Sequence, residues 1–164
     1  MPFDSKLQRT IMGRFATGVT VVTTGRDGNY SGLTANAVAS LSLNPPLVLV
    51  AVEKRAHSHE YLMRDRIYAM NILAAEQEHL SQKFATPGPK DFTDVDFTIG
   101  ASGAPILTGT LGYVDCRVTE ILPGGDHDIF VGEIVAGEAR DGKPLLYFSG
   151  KYRALADIQD AGDV

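Results

Sequence analysis

The chain has 164 residues, 44% of them hydrophobic and 21% charged, with a formal net charge of −5. That length suits one domain with a real core, and the acidic balance argues against a nucleic-acid partner, which needs a basic face. Cys116 is the only cysteine, so an intramolecular disulfide and a cysteine-built zinc site within one chain are both excluded.

The first residues, MPFDSKLQRT, carry no apolar stretch of signal-peptide length. The longest apolar run, 45–52, is too short to cross a membrane. With the lone thiol, these features predict a soluble cytoplasmic protein without membrane partners. Asp4 is placed to cap a first helix, with Leu7, Ile11 and Phe15 spaced by four on one face. Gly18 opens GVTVVTTGRDGNY, where β-branched residues 19–24 predict a strand and Arg26-Asp27-Gly28-Asn29 a turn.

The return segment is SGLTANAVASLSLNPPLVLVAV. In it Thr34, Asn36, Ser40, Ser42 and Asn44 alternate with small apolar residues, and Leu41 and Leu43 are expected to pack the barrel. Pro45-Pro46 stiffens the turn into a buried strand over 47–52.

Ser58 is the expected cap of a short helix, SHEYLMRD. Residues 68–73 read as a strand and 76–85 as a helix with Leu80 and Phe84 one turn apart, ended by Thr86-Pro87-Gly88-Pro89. Residues 91–105 read as mostly irregular. Over 111–122 the alternation sends Val114, Cys116 and Val118 one way and Asp115, Arg117 and Thr119 the other. Pro123-Gly124-Gly125-Asp126 turns the chain into a long strand, 127–139, with Gly132 as a bulge position. After Asp141-Gly142 the last strand starts at 145–148, and the acidic tail 157–164 is expected to fray.

No repeat or linker divides residues 1–164, whose core runs from about residue 8 to 154. Roughly six or seven strands joined mainly by turns, with two or three short helices, predict a mainly β fold. The expected architecture is an antiparallel barrel with peripheral helices.

The dinucleotide G-x-G-x-x-G, the phosphate loop G-x-x-x-x-G-K-[ST] and the G-x-S-x-G elbow are all missing. His57 and His59 are two apart and can share one side of a strand as metal ligands, but no third ligand pattern accompanies them; surface or capping roles are the alternative. Lys54, Arg55 and Ser58, followed by the free amides of a helix start, suit a phosphate; a solvated turn with a helix cap is the other reading. In GGDHDIF two glycines let a ligand approach the backbone, and His127 can bond a substrate amide or move a proton; a plain hairpin with an exposed histidine competes. Phe84, Tyr147, Phe148 and Tyr152 can stack on a flat ring or simply pack the core.

Taken in order, MGRFATGVTVVTT, GLTANAVASLSLNPPLVLVAV, LSQKFA, GAPIL, GGDHDIFVGEI and PLLYFSGKYR resemble the short-chain flavin reductase family, from about Met12 to Arg153. The resemblance implies an FMN-binding split barrel, a homodimer, and reduction of FMN or FAD by NADH, or by NADPH. Reduced flavin would then pass to a separate oxygenase component. By the same resemblance Thr34, Ala35, Asn36 and Ala37 lie against the flavin ring. Ser40, Leu41 and Ser42 meet its polar edge and ribityl chain, their backbone amides stabilising the charge that builds on reduction. Lys54, Arg55, Ala56 and Ser58 hold the phosphate, and Ser81, Lys83 and Phe84 close the site. His127, Tyr152, Arg153 and Arg14 face the nicotinamide nucleotide. The chain departs from the family pattern at Ala37-Val38 after TAN, at Asp96-Phe97-Thr98 and at Gly150-Lys151. Two competing readings are a flavin-holding electron-transfer or storage module without a nicotinamide site, and a split-barrel oxidase or haem-binding relative.

Overall fold

The computed structural model describes residues 2–156. The chain begins with α1 (Ser5–Met12), β1 (Thr17–Gly18), β2 (Thr20–Arg26), β3 (Asn29–Ala35), β4 (Val38–Leu43) and β5 (Pro46–Glu53). It continues through α2 (His57–Asp65), β6 (Ile67–Ile72), a 3-10 turn (Ala75–Gln77) and α3 (Glu78–Ala85). The remainder is β7 (Phe97–Ile99), β8 (Pro105–Leu107), β9 (Gly112–Gly124), β10 (His127–Ala139), β11 (Leu146–Phe148) and β12 (Lys151–Arg153).

Seven strands form one antiparallel sheet in the order β3-β2-β6-β9-β10-β5-β4. Its two edge strands, β3 and β4, are joined by Asn36 and Ala37 alone. Three Cα steps span at most about 11 Å, whereas the edges of a flat seven-stranded sheet stand about 28 Å apart. The sheet therefore has to curl into a barrel. Its edges meet at a seam closed by covalent chain and not by a ladder between β3 and β4.

The barrel interior holds Val22, Val50, Val52, Tyr68, Cys116 and Phe130, all fully buried. Register shifts between Val131 and Gly132 and between Ile134 and Ala136 bend the long β9–β10 ribbon around it. A Cβ at Gly132 would stand 2.5 Å from Tyr68 Oη and 2.8 Å from Cys116 Cβ, so this bulge needs a residue without a side chain. A second core, with Val19, Val21, Leu73, Leu80, Phe84 and Leu145, ties α3 to the outer face. The small sheet β1-β11-β12 lies beside it.

The mainly β, antiparallel fold with peripheral helices is as expected, and several local readings change. Residues 91–105 are mostly irregular as expected, with one addition: β7 pairs with β8 as Phe97↔Leu107 through Ile99↔Pro105. Asp115 does face away from Cys116, yet it is fully buried, because the 100–104 turn covers it. Its carboxylate accepts from the Ser102 amide at 2.8 Å and the Ser102 hydroxyl at 2.5 Å. Leu41 and Leu43 do not pack the barrel. They stand 48% and 92% exposed on the edge strand β4, where a register shift between Ser40 and Ser42 disturbs the alternation. Leu7 and Ile11 likewise leave the face of α1 open, and no residue of that helix is buried. The tail 157–164 lies outside the described residues.

Candidate functional site

At the seam lies a cleft of about 470 Å³. Gly32, Leu33, Thr34, Ala35, Asn36 and Ala37 form its seam border, where small side chains leave room for a flat body. A second border is the end of β5 and the entry to α2: Ala51, Glu53, Arg55, Ala56, His57 and Ser58. A third comes from the end of α3 and the loop behind it: Phe84, residues 85–88 and Lys90. His127, first residue of β10, completes the lining. A Cβ on Gly32 would come within 2.9 Å of the Phe84 ring, so this glycine lets α3 sit close against β3.

The N-cap of α2 is Ala56, not Ser58, and no side chain accepts from the helix start. Ser58 is instead a buried residue of the first turn. The first-turn amides thus lack a side-chain partner and lie beside Arg55, which forms no ion pair among the described residues. Lys54 is committed elsewhere. Its Nζ donates to the Gly125 carbonyl at 2.8 Å and stands 3.8 Å from Asp128, so it braces the β9–β10 turn and does not line the cleft.

The two aspartates flanking His127 have separate duties. Asp126 pairs with His127 Nδ1 at 2.7 Å, and the His127 hydrogen bond and charge hold that carboxyl below the usual carboxylate range. Asp128 turns to His59 Nε2, also at 2.7 Å. His57 and His59 lie on a helix, not a strand, and have different partners, since His57 Nδ1 meets Ser31 Oγ at 3.2 Å. Among the described residues no group of three or more His, Cys, Asp or Glu side chains could hold a metal.

A second hollow, of about 240 Å³, shares Thr34, Ala35, Asn36 and Ala85 with the cleft and adds Val19, Ser81, Tyr147 and Tyr152. Thr34 Oγ1 donates to the Ser81 carbonyl at 2.6 Å, and the Tyr147 and Tyr152 rings meet edge to face at 5.4 Å. Arg14 lines a separate hollow with Lys6, Arg9 and Ser149, and donates to Ser149 Oγ at 3.3 Å. Ser40, Leu41 and Ser42 on β4 line neither the cleft nor the second hollow, nor do Lys83 and Arg153. The sequence reading missed the loop 85–90, taken only as a helix stop, and Glu53 and His57 among the lining side chains. The TPGPK composition after α3 marks a turn, and nothing in it tells that the turn faces the seam.

A curled antiparallel sheet with small polar residues at its seam and a cationic helix entry beside them defines a split barrel built for a flat, anionic cofactor of the flavin type. The small residues, Arg55 without an ion pair among the described residues, and the His57 and Ser58 amides at the helix start all fit such a group. The comparison with known proteins is specific: residues 12–156 match the flavin reductase like domain, and the chain belongs to that family. It is 38% identical over 153 residues to the reductase subunit HsaB of a flavin-dependent monooxygenase from Rhodococcus jostii, covering 93% of this chain and 78% of that one. It is 39% identical over 169 residues to an NADH-dependent FAD reductase of Streptomyces globisporus, covering 98% and 91%. The solved structure of the flavin reductase PheA2 superposes with a TM-score of 0.87 at 42% identity, covering 94% of this chain and all of that one.

Proposed function

We propose that this protein is an NAD(P)H:flavin oxidoreductase, with NADH the favoured donor, that reduces FMN or FAD and releases reduced flavin to a separate oxygenase component. The observation that carries the reading is the continuity of two hollows across Thr34, Ala35 and Asn36, one reaching Arg55 and the other Tyr152. Two ring systems can then share one wall. The names of the relatives, a monooxygenase reductase subunit and an NADH-dependent FAD reductase, support the same chemistry.

When bound, the flavin supplies the hydride acceptor, so the protein needs no nucleophile of its own. Its residues have to position both rings, with reacting atoms about 3–3.5 Å apart. Thr34, Ala35, Asn36 and Ala37 form the ring wall. Ser40, Leu41 and Ser42 line neither hollow; on the neighbouring edge strand β4 they would meet its polar edge and ribityl chain, where backbone amides favour negative charge. Arg55, Ala56 and Ser58 take the phosphate, with Phe84 and Ser81 closing the site and Lys83 behind them. His127 orients the nicotinamide, with Lys54 bracing its turn. Tyr152, Arg153 and Arg14 receive the rest of that nucleotide. The protein acts as a homodimer, which would cover the apolar face that α1 leaves exposed, and it works in the cytoplasm, where NADH is made.

The test is to mix purified protein with NADH or NADPH and with FMN or FAD while following nicotinamide absorbance. Oxidation that depends on added flavin is expected, fastest with NADH. Absence of oxidation with all four pairs would overturn the reading in favour of a flavin-holding module.

A further inference from the structure

The phosphate end of the cleft presents a charge problem. A flavin phosphomonoester carries close to two negative charges at neutral pH, and a buried or half-buried dianion wants more than one cation. The adjacent pair Lys54-Arg55 looks like the obvious answer in sequence. The structure removes Lys54, whose amine is held by the Gly125 carbonyl and Asp128. Arg55 is left as the only lysine or arginine on its border of the cleft among the described residues, with Glu53 beside it.

A second cation enters from the other chain segment. Lys90 lines the same cleft and is half-buried, and it forms no ion pair among the described residues. Its Nζ donates to the Gly88 carbonyl at 2.8 Å and also to the Thr86 carbonyl. An ammonium has three N–H donors, so one remains after these two. The carbonyls fix the charge in place without neutralising it. Burial lowers the Lys90 pKa, the signature of a cation that lacks a counter-charge. The loop can hold this arrangement because Gly88 takes a left-handed conformation, φ +89°, with open space around it.

We propose that Lys90 is the second arm of a phosphate clamp, closing with Arg55 on the phosphate of FMN or the pyrophosphate of FAD and selecting both over riboflavin. This rests on the flavin-reductase reading above and adds to it the residue that reads the charge of the flavin's tail. Lys90 is a binding residue in this scheme and takes no part in moving the hydride. Two carbonyl bonds pre-organise the ammonium, so the ordering cost on binding is small.

The experiment titrates the whole protein into riboflavin, FMN and FAD, reading flavin fluorescence for the first two and calorimetry for all three. Wild type should bind FMN and FAD more tightly than riboflavin. Lys90→Met should weaken FMN and FAD by about tenfold, the scale of one charge-assisted hydrogen bond, with riboflavin affinity unchanged. Lys90→Gln keeps a donor for the loop carbonyls and drops the charge, so it should show the same selective loss even if Lys90→Met loosens the loop. Wild-type FMN affinity in Lys90→Gln, or equal losses for riboflavin and FMN in both variants, would overturn the clamp and reduce Lys90 to a loop tie. A wild-type protein that bound riboflavin as tightly as FMN would also overturn it while leaving the flavin reading intact. Failure of the wild type to bind any of the three would overturn the flavin reading itself.

Discussion

The hydroxyls of Ser81 and Tyr152, 71 residues apart in sequence, meet at 2.7 Å. Ser81 is fully buried, and its carbonyl accepts from Thr34 at 2.6 Å. One residue of α3 therefore ties the seam strand β3 to the terminal strand β12, and those ties frame the second hollow. Tyr152→Phe should lower stability by about 1 kcal/mol, because it leaves a buried hydroxyl without this partner; urea denaturation reads that loss. The apparent Michaelis constant for NADH should rise more than that for flavin. A stability loss with unchanged NADH kinetics would make Tyr152 a structural tie alone.

His127→Ala tests the proposed nicotinamide contact of His127, which lines the cleft. The side chain is 40% exposed, so stability should stay within about 0.5 kcal/mol of wild type. The apparent Michaelis constant for NADH should rise and turnover fall. Unchanged steady-state kinetics would remove His127 from the mechanism. Asp126→Asn should give a weaker form of the same defect, since Asp126 fixes the ring through Nδ1. The folded Asp126 pKa is depressed, so its contribution is present above the ordinary carboxylate value of about 4 and is lost only as pH falls through the lowered one. Protonation of Asp126 should therefore contribute no acid limb to NADH kinetics between about pH 5 and 8.

Gly132→Ala should destabilise the protein by about 1–3 kcal/mol, the usual cost of overpacking a core. The added Cβ has to displace Tyr68 and Cys116, both fully buried. The midpoint of urea unfolding should fall. A midpoint equal to wild type would mean that the β9–β10 bulge can relax without cost.

Cys116 should be silent toward thiol reagents. Burial, with the Asp115 charge second, pushes its thiol up to about 12, and the thiolate is the reactive form. A disulfide reagent at pH 8 should find no thiol in native protein and one per chain in guanidinium. Rapid labelling of the native protein would contradict the closed barrel core.

The exposed face of α1 predicts the assembly state. Leu7, Ile11 and Met12 are 47%, 51% and 58% exposed, with Phe15 beside them at 71%. Light scattering should return twice the 17.6 kDa chain mass, and Ile11→Glu should shift the protein toward monomer. A monomeric wild type would overturn the homodimer.

What was legible in the sequence follows from the length of each signal. The β9 and β10 strands run 13 residues each, long enough for alternation and turn chemistry to show, and Gly132 marked its bulge. β7 and β8 have three residues each, too few for a period, and they are held by pairing with each other and by the Thr23 and Asn71 side chains that bond Pro105 and Leu107. Leu41 and Leu43 misled because alternation states which residues share a face, not whether that face is covered. The edge position of β4 decides that, and it depends on the whole sheet order. In the site, Arg55 at a helix start was readable from local chemistry, whereas the alternation around Thr34 and Asn36 was visible but took its meaning from the family resemblance. Lys54 and Lys90 were not, because the capture of one by Gly125 and Asp128 and the arrival of the other from behind α3 are long-range events.

The two-residue link between β3 and β4 also acts as a gauge. It limits how far apart the sheet's two rims can stand at that end, since no ladder pairs β3 with β4 among the described residues. Each residue inserted there would let the aperture open by up to about 3.5 Å while every existing strand pairing stayed in register. Deleting one would have to unzip the end of an edge strand. The girth of the mouth, and with it the breadth of planar guests admitted, is therefore adjustable through the length of the 36–37 link, whose own residues also line the cleft.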